Sequence, residues 1–466
     1  MQGQVAQSVE QWTENPRVGS SILPLATMQS RRISITDVSD RAAVDACGAL
    51  ALLGYAALAF FSAHLHDAPN VTGFLALMAW GLLPLGLVFA RFKRRPHEFP
   101  LVRLLCWALA FRLCGLWGVP IFEDDWFRYL WDGYRFFETG SPYGFAPMQA
   151  FADESVPAAF QRILDQINNP HLPTIYGPTT EYAFLVSYVL APASLTPLKL
   201  LLIAVDLLLI RLLLSVAPAG FVALYAWCPL VIKEIAFSAH ADGLGLCLAF
   251  AALLLHRREQ FMAAGICIGL AVGAKLFALL LLPFVLIRAP PSAWLGFAGT
   301  LLLLYLPFLM QGSTDLASLM VFARDWEFNA ALYALLSMWI EPIIAKALLA
   351  ACLLAALAFY WLRFRAQPSA SLPRGDLIFG GLLLVSPVIN PWYALWLLPF
   401  AVIHPTRWAW TLAAALPLAY ITGQNLGGLA GMEPYAQPLW VRPIEFGLVL
   451  IALGMDWRAS RRRRHS

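Results

Sequence analysis

Charge is what this sequence has least of. Asp, Glu, Lys and Arg make up 13% of its 466 residues, hydrophobic residues make up 60%, and the mean hydropathy is +0.67. Soluble proteins carry roughly 25% charged and about 45–50% apolar residues, so a water-soluble domain of this length could not hide so much apolar surface. That excludes a cytosolic enzyme, a nucleic-acid binder and a disordered chain. Cysteine is also sparse. The seven cysteines (Cys47, Cys106, Cys114, Cys228, Cys247, Cys267, Cys352) lie inside apolar runs with no CxxC pair, which indicates neither a disulfide framework nor a zinc site. The chain shows no nucleotide-binding motif and no internal repeat.

What is present is apolar sequence in runs of about 18–25 residues, long enough to cross a bilayer as helices. At about 20 residues each plus loops, these runs allow about 11 to 13 spans. The expected fold class is an all-α polytopic membrane protein. Basic residues cluster at Arg31-Arg32, Arg91 to Arg95, Arg363 to Arg374 and Arg458 to Arg464. Short basic clusters beside spans mark the cytoplasmic side. Both termini are therefore expected in the cytoplasm, and the segment after Pro120, which follows a third span, outside it.

Residues 1–27 are polar and aperiodic and read as sequence upstream of the true initiator Met28. As a mis-called start or as a cytoplasmic tail, they carry no function. The expected organisation is then 28–120 with three spans, 121–178 as an extracytoplasmic loop, 179–457 with the remaining spans, and 458–466 as a basic cytoplasmic tail. Strict alternation from residue 178 puts His256-Arg257-Arg258 outside, whereas their charge puts them inside. A helix between 179 and 290 that is short or broken and does not cross would resolve the conflict.

Residues 121–178 form the longest non-apolar stretch. They hold eight acidic residues (Glu123, Asp124, Asp125, Asp132, Glu138, Asp153, Glu154, Asp165) against three arginines (Arg128, Arg135, Arg162). Loops this long in compact proteins tend to be functional. The opening string F-E-D-D-W-F-R-Y-L-W-D-G-Y (122–134), if helical, puts Asp125, Arg128 or Tyr129, and Asp132 on one face, with Asp124 one turn from Arg128. Adjacent carboxylates repel and burial raises the pKa of one, which suits a general base. An amphipathic helix lying on the membrane surface is the structural alternative.

Charged groups within apolar runs are costly and functional candidates by default. Here they are Lys233, Glu234, His240, Asp242 and Lys275, with mutual pairing, as of Lys233 with Glu234, the alternative. Asp206 and Arg211 read as a structural pair or boundary residues. Asn390, Trp392 and Tyr393 either line a cavity or belong to a proline-broken helix.

The loop continues G-S-P-Y-G-F-A-P (140–147) and I-N-N-P-H-L-P-T-I-Y-G-P (167–178). With these strings the sequence resembles the GT-C superfamily of polytopic glycosyltransferases that use polyprenyl-phosphate sugars. It is most similar to bacterial polyprenyl-phosphate-mannose-dependent mannosyltransferases. Their first external loop reads roughly D-D-x-x-R-Y-x-W-D-G, G-x-x-P-Y-x-x-A-P and N-H-P-x-x-P-T-I-Y-P-P. Two positions depart: Gly177 replaces the first proline of Y-P-P, and Glu181 stands where glutamine is usual. The segment 226–243 resembles the family's W-N-P-x-x-x-x-E-x-x-x-x-x-H-x-D, with Cys228 for asparagine, and 273–284 and 386–396 resemble two later membrane motifs.

The resemblance implies a GT-C-like bundle in the bacterial inner membrane with a large extracytoplasmic loop after the third span. It implies inverting transfer of a hexose, mannose first, from a polyprenyl-phosphate sugar to a lipid-linked or envelope glycan acceptor. Such transfer needs a carboxylate to take the acceptor proton and cations around the departing phosphate. Asp124 or Asp125 would be the base. Arg128, Lys233, His240 and Lys275 would be phosphate partners, and Tyr129, Asp132, Tyr143, Tyr176, Asp242, Asn390, Trp392 and Tyr393 complete the substrate-binding set. No cofactor is required outright. A divalent cation would bridge the phosphate and Asp124, Asp125 or Asp132, since hard cations take carboxylate oxygens. A secondary transporter or lipid flippase is the alternative, and it calls for paired repeats in the two halves. A structural subunit with a decayed site is the third reading.

Overall fold

Backbone placed in lipid must satisfy its own hydrogen bonds, and the apolar runs of this chain fold as helices throughout. A computed structural model describes residues 35–68, 70–368, 371–427 and 431–465; the expectations for 1–27 and for Arg31-Arg32 lie outside the described residues. No strand occurs among the described residues, and Phe328 and Val388 form an isolated parallel bridge. The short unit Met1–Ala43 enters the description with the start of the helix Ile35–Asp67, and Val44–Ser466 form one body.

Among the described residues, four helices are long and apolar enough to cross a membrane: Val38–Leu65, Val71–Phe92, Pro291–Leu309 and Pro342–Phe364. A fifth forms if Ala219–Ala226 and Pro229–Phe237, bent by 52°, count as one broken span. The chain is an all-α, multi-pass membrane protein. Its remaining apolar runs sit in shorter or interrupted helices such as Phe261–Ala274, Leu276–Val285 and Gly375–Val385, so uninterrupted spans among the described residues are fewer than the 11 to 13 expected. The bend falls at Pro229, which lacks an N–H and cannot continue a helix begun upstream. It lies within the stretch where the charge of His256-Arg257-Arg258 conflicted with alternation.

Buried charge pins these helices together. The Arg112 guanidinium meets Asp206 at 2.5 Å and donates to the Ala226 carbonyl at 2.9 Å, while the Tyr225 hydroxyl donates to Asp206 at 2.7 Å. Of the two expectations for Asp206 and Arg211, a structural pair or boundary residues, this corrects the pairing. Residues five apart point about 140° from each other around a helix, and Arg211 faces outward while Asp206 is buried. Lys199, also buried, donates to the carbonyls of Gly115 and Gly118 at 3.0 and 2.5 Å. It places a cation at the negative end of the helix Leu101–Trp117.

The acidic loop is not a surface helix. Its helix Asp125–Thr139 buries Phe127 to Tyr134 and Phe136. Phe127, Trp131 and Tyr134 pack on Phe160 and Ile163 to give the loop a core of its own. The helix crosses Pro178–Leu190 at Gly133, where a Cβ would stand 2.6 Å from the Phe184 carbonyl oxygen. At Gly177 a Cβ would stand 2.3 Å from the carbonyl oxygen of Gly273. The residue that departs from Y-P-P therefore fits a backbone-to-backbone contact that any side chain would disrupt.

Arg112→Met leaves Asp206 buried without its counter-charge and is expected to cost about 3–5 kcal/mol. Arg112→Met combined with Asp206→Leu removes both charges and recovers most of the loss. Unfolding in detergent micelles measures both variants.

Candidate active site

Three residues other than glycine hold left-handed backbone where functional side chains cluster: Phe122 (φ 55°), Asn169 (φ 47°) and Ala239 (φ 59°). Each is next in sequence to a polar residue of the site, Glu123, Asn168 and His240. Such conformations cost of order 1–3 kcal/mol each and persist only where surrounding structure holds them. Beside them Lys233–Phe237 forms a π-helical turn, an irregularity frequent at functional sites.

Asp124 precedes the first turn of the loop helix and Asp125 begins it. The Asn168 amide donates to Asp124 at 2.5 Å and, at 3.4 Å, to Asp125, so one side chain holds both carboxylates. Burial, followed by the charge of Asp125, pushes the Asp124 carboxyl up to about 7, against the opposing Asn168 hydrogen bond. Burial also raises Glu123 to about 7, opposed by Lys233 and His240. Burial and then the Asp125 charge raise the Tyr129 and Tyr176 phenols. Asp125 is also within electrostatic reach of Lys275 and Tyr393.

Two buried clusters flank these acids. In the first, the Lys233 ammonium lies 3.2 Å from Glu123 and 3.2 Å from Glu234. The Tyr420 hydroxyl accepts from Lys233 and lies within donating reach of both carboxylates, at 2.9 Å from Glu234. His240 places Nδ1 3.0 Å from Glu234 and Nε2 3.8 Å from Glu123, and its ring stacks on Trp392 at 3.9 Å. In the second, Lys275 meets Asp242 at 2.9 Å and lies 4.7 Å over the Tyr393 ring, and the Trp396 indole donates to Asp242 at 2.8 Å. The side chain of Lys275 remains 23% exposed whereas Lys233 is fully buried, so of these two lysines Lys275 is the one a ligand can reach. Asn390 precedes the turn Pro391–Trp396 that carries Trp392, Tyr393 and Trp396.

The other expected site residues stand apart. Arg128 donates to the carbonyls of Leu172 and Asn169 at 3.0 and 3.2 Å, tying the loop helix to the 167–176 strip. Tyr143 packs against Phe136 and Phe308 and donates to the Tyr176 carbonyl at 3.0 Å. Asp132 is buried; burial lifts it to about 7, opposed by Arg128 and a hydrogen bond from Thr174. Thr174 also donates to Glu181 at 2.8 Å. Asp124, Asp125 and Asp132 therefore do not converge as a cation site. Among the described residues the converging group is Glu123, Glu234 and His240, with one ligand atom each within 4.8 Å of one another. The site also takes in Asn168 of the 167–178 string and residues not singled out from sequence: Glu123, Trp396, Tyr420 and Tyr435. Tyr435 is 58% exposed. Its phenol is pushed up to about 12 by burial and by the charges of Asp124, Asp125 and Glu123, so it lies within electrostatic reach of the three acids.

Asn168→Ala removes the hydrogen bond that favours ionised Asp124 and is expected to move its titration above about 7. Asp125→Asn removes a neighbouring negative charge and moves it below. Infrared titration of the carboxyl band reads both directions.

Comparison with known proteins bears on the same residues. A family model described as alpha-(1->6)-mannopyranosyltransferase, N-terminal domain, matches residues 42–290. No curated protein and no solved structure matches the chain. The matched stretch is more than half of the sequence and contains the acidic loop, the broken helix and Lys275, and the chain belongs to the alpha-(1->6)-mannopyranosyltransferase family.

Proposed function

We propose that this mannosyltransferase takes its sugar from a polyprenyl-phosphate donor and gives it, with inversion, to a hydroxyl of a lipid-linked or envelope glycan. The reaction runs on the extracytoplasmic face of a bacterial inner membrane, and Asp124 is the base. The acceptor hydroxyl surrenders its proton to the Asp124 carboxylate as its oxygen bonds the anomeric carbon. The bond from that carbon to the phosphate oxygen breaks, and its electron pair leaves on the phosphate. Lys275 meets the charge that develops there. Lys233 and Arg128 are committed to protein partners and hold the scaffold.

The observation that carries this reading is Asp124, held together with Asp125 by one asparagine and itself buried enough to titrate near 7, where a base for neutral pH should lie. A positively charged lysine lies within electrostatic reach. Tyr435 offers an aromatic face beside the carboxylates for the acceptor. Gly177 supports a working rather than a decayed site, because its departure from the family string is accounted for by contact with Gly273. The broken helix is consistent with irregular backbone lining a cavity at membrane depth.

Transfer from a polyprenyl-phosphate mannose to a membrane-extract acceptor, in reconstituted vesicles, tests the proposal. Asp124→Asn is expected to lower turnover by about 10²–10⁴-fold, the usual share of a general base. Since Asp124 must be ionised, wild-type activity rises with pH through about 7, and Asp125→Asn moves that rise to lower pH. Activity that survives loss of both carboxylates, or donor moved across the bilayer without being consumed, would overturn it.

A further inference from the structure

Glu123, Glu234 and His240 form a donor set that divalent metals accept: two carboxylates and an imidazole, buried, with ligand atoms within 4.8 Å of one another. The His240 ring turns both nitrogens toward the glutamates, Nδ1 at 3.0 Å from Glu234 and Nε2 at 3.8 Å from Glu123. Yet a cation already stands there. Lys233 Nζ lies 3.2 Å from Glu123 Oε1 and 3.2 Å from Glu234 Oε2, the carboxylate edges a metal would take, and Tyr420 bonds all three side chains. An ammonium and a divalent ion would repel strongly at such separations in a low-dielectric interior.

We propose that Lys233 is the resident cation of this cluster. It takes the position of a divalent ion, so the chain needs no metal there, and removal of its ammonium converts Glu123, Glu234 and His240 into a divalent-metal site. The sequence order makes this economical: Lys233 and Glu234 are adjacent on the π-helical turn, which brings the cation and one of its carboxylates to the same point. Burying two carboxylates without a counter-cation would be strongly unfavourable, and here the counter-cation is covalently part of the chain and cannot be chelated away. The proposal shares its site with the mannosyl-transfer reading but rests on it only where activity is measured.

The test uses the full chain in detergent, treated with chelator, with Mn2+ as the probe read by paramagnetic resonance. Wild type is expected to bind no Mn2+ at this site and to keep its thermal midpoint after chelation. Lys233→Ala is expected to bind Mn2+ stoichiometrically, with a midpoint that rises with Mn2+ concentration as binding to the folded state requires. Adding Glu234→Gln to that variant abolishes the gain, and Lys233→Arg, which keeps the charge, does not acquire it. If the alanine variant does not fold, Lys233→Ser replaces it, and the wild-type measurements need no variant. A metal tightly bound in wild type whose removal lowers the midpoint would overturn the proposal, as would a folded Lys233→Ala or Lys233→Ser chain that binds no Mn2+. In vesicles, chelation leaves wild-type transfer intact if the proposal is right. A wild type inactive with and without metal speaks against the transfer reading alone, since the Mn2+ and thermal readings do not depend on turnover.

Discussion

Everything near the candidate site answers one constraint: carboxylates kept out of water must be neutralised or protonated close at hand. Glu123, Asp124 and Asp125 are consecutive, and no local structure could give all three a cation. The chain separates them instead. Glu123 is turned toward Lys233 and His240, Asp124 and Asp125 share Asn168, and Asp125 is left to act on Lys275 across the site. The left-handed backbone at Phe122 immediately precedes Glu123 and Asp124, which take different partners.

The same rule governs the scaffold. Arg112 with Asp206 and Lys199 with two backbone carbonyls are internal charges fully used in holding helices. Lys275 differs in being paired and yet partly accessible. That difference in commitment, rather than burial alone, separates residues that hold the fold from residues free to act on a ligand.

Much of this was legible in the sequence. Apolar run length gives the helices and the polytopic class. The loop strings name Asp124, Asp125, Tyr129, Tyr176 and Asn168, which the structure brings within reach of one another, and the adjacency of Lys233 and Glu234 foretells their pairing. The break before Pro229 showed only indirectly, as a charge on the wrong side. What stayed hidden depends on distant pairing. Asp206 takes Arg112, 94 residues away, over Arg211 on its own helix, and helical periodicity says nothing about which neighbouring helix supplies a partner. Tyr420, Trp396 and Tyr435 are ordinary aromatics in apolar or polar surroundings, with no local sign of the carboxylates they meet.

The Tyr420 hydroxyl bonds a glutamate that lies 297 residues earlier in the chain. A ribosome adding about 5–20 residues per second needs on the order of 15 to 60 s to make that interval. Throughout it, Glu123, Lys233 and Glu234 are in place one after another while the hydroxyl that closes their cluster is still unmade. The growing protein therefore carries an unfinished polar cluster until Tyr420 is made, and closing that cluster is among the last events of its assembly.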